Sequence, residues 1–116
     1  MQMQGIEKSK IHVLIEIIEY VPNSVVSKTI IRKITGNISI VAIDMGEALP
    51  DKISPFDTFI QIIEGTAEVV IDGQQNVLKT GQGIIIPAHT SNTINANGRF
   101  KMISTIIKSG YEENMI

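Results

Sequence analysis

The feature that most constrains this chain is a rhythm. From residue 25 to residue 107, short apolar and β-branched runs alternate with breaks rich in Gly, Pro, Asn and Asp. The runs cover residues 25–32, 38–43, 59–63, 67–71, 76–78, 84–86, 92–96 and 100–107. Val, Ile and Thr suit the pleated, half-covered surface of a sheet. Turns recurring every ~8–12 residues belong to sandwiches and barrels rather than to helical or βαβ folds. Asp72-Gly73 between two of these runs predicts a two-residue hairpin, because aspartate and above all glycine tolerate the positive φ angles of that turn.

Side-chain alternation adds a second layer of expectation. In 38–43, Ile38, Ile40 and Ala42 share one face, and Ser39, Val41 and Ile43 the other. Both faces carry apolar groups, so this strand should be covered on both sides. By the same argument the run Ile84-Ile85-Ile86 is expected to be a central strand, and residues 46–55, with Pro50 and Pro55, to be a loop. Thr35-Gly36-Asn37 reads as a turn. Residues 11–20 admit two readings: Ile11, Leu14, Ile15 and Ile18 fit helical spacing, whereas Ile11, Val13, Ile15 and Ile17 alternate. A short N-terminal helix or an extended segment is expected there. The polar first ten residues are expected to fray, as is the tail. The resulting division is an N-terminal segment (1–23), a barrel (24–108) and a tail (109–116).

Composition then removes whole classes of function. A chain of 116 residues supports one core. Ten basic and 12 acidic residues give a net charge of -2, so neither nucleic acid nor an anionic membrane is an expected partner. The absence of cysteine excludes disulfides, zinc–thiolate sites and thiol nucleophiles. With no Trp and 4% aromatics there is no platform for stacking bases. The start, MQMQGIEKSK, lacks an apolar stretch after a basic one, and no apolar run approaches membrane length. A soluble cytoplasmic protein is the expectation. Gly81-Gln82-Gly83 lies between strands and opens no helix, so it is not a dinucleotide loop.

The glycines and prolines of the middle of the chain follow a spacing of their own. Gly46 is followed by Lys52, Ser54, Thr58 and Gly65, and Gly81 by Pro87, His89, Asn92 and Ala96. This arrangement resembles the two motifs of the cupin superfamily, in the compact single-domain cupin 2 (conserved barrel) form found in bacteria. Val25-Val26-Ser27-Lys28-Thr29, Pro55-Phe56-Asp57, Ile63-Glu64-Gly65, Ile86-Pro87-Ala88 and Phe100-Lys101-Met102 add to the likeness, which spans roughly residues 24–108. The resemblance implies an all-β fold, a double-stranded β-helix (jelly-roll-like) barrel, and a homodimer. It also places the family's metal-binding histidines and glutamate at Lys52, Ser54, Thr58 and Asn92, and an inner motif glycine at His89.

None of those four positions holds a good transition-metal ligand. Lys52 is a cation, and Ser54, Thr58 and Asn92 are weak neutral donors. No metal and no cofactor are therefore expected. Lys52, Ser54, Thr58, His89 and Asn92 are the candidate ligand-binding residues. Lys52 reads as an anchor for an acidic group, or as a solvated loop lysine. His89 reads as a relocated ligand or general base, or as a rim residue. Ile60, Ile62, Val69, Ile84, Ile86 and Ile94 are the expected core, giving a greasy pocket with a polar ring that suits a small organic ligand. Two functions follow. One is a metal-free small-molecule binding or interaction module. The other is an enzyme of isomerase, epimerase or dioxygenase type using His89, Lys52 and Asn92.

Overall fold

A computed structural model of the chain describes residues 5–108. The tail assigned to 109–116 lies outside the described residues, as do the first four residues of the segment expected to fray. Nine strands form two antiparallel sheets: β1 (Val25–Lys33), β2 (Gly36–Ile43), β3 (Ala48–Lys52), β4 (Asp57–Glu64), β5 (Thr66–Ile71), β6 (Gln74–Lys79), β7 (Gly83–Ile86), β8 (Asn92–Asn95) and β9 (Phe100–Ile107). One sheet has the order β1-β2-β9-β4-β7 and the other β3-β8-β5-β6. The all-β architecture expected from the strand rhythm, and the jelly-roll form that the resemblance implies, are present, with the two sheets facing each other but not closed into a continuous ring.

The principal core lies between the sheets. Phe100, Ile43, Ile60, Ile62, Met102 and Val69 are fully buried there, and Ile86 and Ile94 join them. Ile84 is partly buried against the same cluster. The two-residue turn at Asp72-Gly73 is formed as its sequence predicts, with φ of 51° and 82°. Gly65, at the bend from β4 to β5, has φ 85°, and a Cβ there would sit 2.5 Å from the Arg99 carbonyl oxygen. Only glycine lets the bend approach the start of β9 so closely.

A second core covers the outer face of the five-stranded sheet. The alternation read in 38–43 is realised: Val41 and Ile43 point between the sheets, while Ile40 and Ala42 point outward and pack with Ile18 and Ile103. Residues 11–20 supply the cover. They form one 3-10 turn, Leu14–Glu16, within an otherwise irregular strap, so the helical reading holds for a single turn. Tyr20 fastens the strap. Its hydroxyl donates to Glu64 Oε1 at 2.7 Å, and Arg99 and Lys101 lie over its ring at 4.5 and 4.9 Å. Burial, and then the Glu64 carboxylate, hold the phenol well above its ordinary pKa. The buried Lys101 ammonium donates to the Ile15 carbonyl and faces Glu64 at 3.8 Å, which satisfies a charge that would otherwise be costly to bury.

Several expectations are corrected. Residues 46–55 are not all loop: β3 occupies Ala48–Lys52 and pairs with β8. Pro50 is tolerated because β3 is an edge strand and its register shifts between Leu49 and Lys52. The strand containing Ile84-Ile85-Ile86 is an edge and not a centre. Ile84 and Ile86 face the core while Ile85 is 61% exposed. The turn between β1 and β2 falls on Ile34-Thr35, with Gly36 and Asn37 already in β2. Gly5 and Ile6 are not frayed: Gly5 bridges to Ile31 and the Ile6 N–H donates to Ile30 O at 2.9 Å.

Candidate functional site

Between the sheets, at one end, the core opens into a cavity of about 300 Å3. Strand register stacks its wall in layers. At the mouth Lys52 pairs with Asn92, and Thr58 pairs with both Ile86 and Ile106. One step inward Leu49 pairs with Ile94, and Ile60 with Ser104. Met102 closes the floor beside Ile62. Because inward-facing residues recur every second position, a polar residue near a strand end reaches the mouth and the apolar residues behind it reach the floor.

Four of the five candidate residues line this one cavity: Lys52, Ser54, Thr58 and Asn92. Ser54 comes from the loop after β3, and its Oγ accepts the Phe56 N–H at 3.1 Å. Asn92 opens β8, and its Nδ2 donates to the Lys52 carbonyl at 3.2 Å, tying the neighbouring strands β3 and β8 together at the mouth. Asp57 supports the mouth from outside by accepting the Ala88 N–H at 2.8 Å. Gln61 is exposed and is not among the lining residues.

His89 stands apart from the other four. Its side chain is exposed and does not line the cavity. What the structure uses is its backbone: φ is 63°, and its N–H donates to Ser54 O at 2.7 Å. The position requires a left-handed conformation, where the resembling motif carries glycine. Histidine is among the residues that visit that region more readily than most. Of the enzymatic set His89, Lys52 and Asn92, only Lys52 and Asn92 line the cavity.

Sequence reasoning missed Ser104, together with Leu49, Pro50, Met102 and Ile106, in the lining. The signal for Ser104 was present: it shares its parity along β9 with Phe100 and Met102, so a polar residue faces inward in mid-strand. The polar groups around the cavity are one ammonium (Lys52), three hydroxyls (Ser54, Thr58, Ser104) and one amide (Asn92). Among the described residues no imidazole or carboxylate lines it, and no cluster of three or more His, Cys, Asp or Glu exists. This donor set does not fit a transition metal, which takes imidazole, thiolate or carboxylate.

Comparison with solved structures decides the family. A cupin superfamily protein from Desulfitobacterium hafniense superposes with a TM-score of 0.84 at 25% identity, covering 92% of this chain and 98% of that one. The chain belongs to the cupin superfamily. A conserved protein of unknown function from Streptococcus pyogenes matches this cupin with a TM-score of 0.86 at 25% identity, over 91% and 93% of the two chains. A cupin 2 conserved barrel domain protein from Leptotrichia buccalis matches with a TM-score of 0.78 at 25% identity, over 81% of this cupin and 46% of the longer chain. No family model matches the sequence, and no curated protein does. Among the described residues no helix is long and apolar enough to cross a membrane.

Proposed function

We propose that this cupin is a metal-free receptor for a small organic molecule, and that it works as a homodimer. The observation that carries the receptor reading is the composition of the cavity wall. A volume near 300 Å3 is at the lower end for ligand sites. Its walls combine apolar side chains with a few convergent polar groups, the usual make-up of an organic-ligand site. The rim groups are chemically ready to hydrogen-bond a ligand and poorly suited to hold a metal ion. An enzymatic reading built on His89 draws no support from the placement of that residue.

Metal analysis of the purified protein, paired with native mass spectrometry, tests the receptor reading. The expected result is substoichiometric transition metal and saturable uptake of small organic compounds. Stoichiometric metal bound against Asn92 or His89 would overturn it.

The homodimer is supported by the family resemblance and by the sheet edges. Edge strand β1 is partly occupied by Gly5 and Ile6. The other edge of that sheet, β7, carries exposed Ile85 beside its cross-strand partner Phe59, itself 37% exposed.

A further inference from the structure

We infer that the ligand of this cavity is a small monoanionic carboxylate with an apolar body, its acid group held at the mouth by Lys52. The inference rests on the receptor reading and narrows it to a chemical class. Lys52 is the one charged residue among the described residues lining the cavity. A single positive charge, with no carboxylate among the described lining residues, favours an anion and disfavours an amine. One lysine surrounded by neutral hydroxyls and an amide balances a carboxylate, and leaves a dianionic phosphate half compensated.

Position along the cavity sets the orientation. Lys52 and Asn92 are cross-strand partners at the open end, with Thr58 on the facing sheet. Behind them Ile60, Ile86, Ile94 and Met102 are each no more than 4% exposed. An acid group placed at the mouth keeps its charge near water and leaves the body of the molecule to the apolar floor, where burial of its hydrocarbon is favourable. The hydroxyls of Thr58 and Ser104 have no hydrogen-bond partner among the described residues. Thr58 can therefore donate to the carboxylate, and Ser104, one layer deeper, can bond to a hydroxyl or keto substituent on the ligand body. With no aromatic side chain among the described lining residues, the described wall lacks the stacking surface that sugars and bases use.

Four compounds with the same apolar chain separate the alternatives by calorimetric titration: octanoate, octanamide, octylamine and octyl phosphate. Octanoate is expected to bind about tenfold tighter than octanamide, a difference of about 1.4 kcal/mol, and tighter than the amine and the phosphate. Lys52→Met, a change at an exposed position, is expected to erase the preference for octanoate over octanamide. Octanamide or octyl phosphate binding at least as tightly as octanoate overturns the carboxylate assignment and leaves the receptor reading standing. So does an octanoate preference that survives Lys52→Met. If none of the four binds at millimolar concentration, or if binding persists in an Ile94→Trp variant that remains folded by circular dichroism, the receptor reading itself fails.

Discussion

At the scale of single residues, the cavity depends on what stands at two kinds of position. At the rim, Lys52, Ser54, Thr58 and Asn92 occupy the places where the family resemblance locates metal ligands, and the backbone brings all four to one cavity. The positions are kept together by the fold, and the chemistry is set by the side chains. His89 shows the complementary case, in which the backbone matters and the imidazole lies outside the cavity. An L-residue in the left-handed region costs on the order of 1 kcal/mol relative to glycine. His89→Gly is therefore expected to leave stability unchanged or raise it by up to about 1 kcal/mol in urea denaturation, with octanoate affinity unaltered. A clear loss of stability or affinity would show that the imidazole itself contributes.

At the scale of elements, the N-terminal strap is joined to the sheet by polar contacts at its end as well as by Ile18. Asp44, just after β2, accepts the Asn23 N–H at 2.7 Å and faces Arg99 at 3.1 Å, while its own N–H donates to Ser24 O at 3.1 Å. The backbone donors of Asn23 and Met45, followed by Arg99, hold its carboxyl below the ordinary value of 3.8. A carboxyl depressed on folding stabilises the native state above its ordinary pKa, and that contribution is lost as pH falls through the depressed value. Asp44→Asn is expected to flatten the decline in stability between about pH 5 and pH 2, the window in which such a group is protonated. Unfolding midpoints measured across that range check this, and an unchanged acid limb would remove Asp44 from the account. The β3 edge strand makes the same point about elements. Pro50 argues for a loop in isolation, but an edge position with shifted register accommodates it.

At the scale of the whole molecule, two sheets enclose one core while the strap covers part of an outer face and leaves the β7 edge open. Unpaired edges invite association, and an apolar residue on the edge strengthens the tendency. The protein is expected to elute as a dimer at micromolar concentration by size-exclusion chromatography with light scattering. Ile85→Lys is expected to shift it towards monomer. A wild-type protein that is strictly monomeric under those conditions would refute the dimer.

The sequence by itself determined what depends on near neighbours. The spacing of β-branched runs set the strands, alternation assigned the two faces of β2, and Asp72-Gly73 marked its hairpin. The side chains at 52, 54, 58 and 92 are by their chemistry poor ligands for a transition metal. These properties are local, because pleat, turn and ligand type are carried by residues within a few positions of one another. The tertiary structure alone decided the order of strands, and so which runs became edges. That is why the Ile84-Ile85-Ile86 run lies at a margin and why a proline-bearing segment became β3. It also decided that Ser104 faces the cavity and that His89 does not. Lateral pairing joins residues far apart in the chain, as Lys52 with Asn92 and Ile60 with Ser104, and no short window of sequence contains both partners.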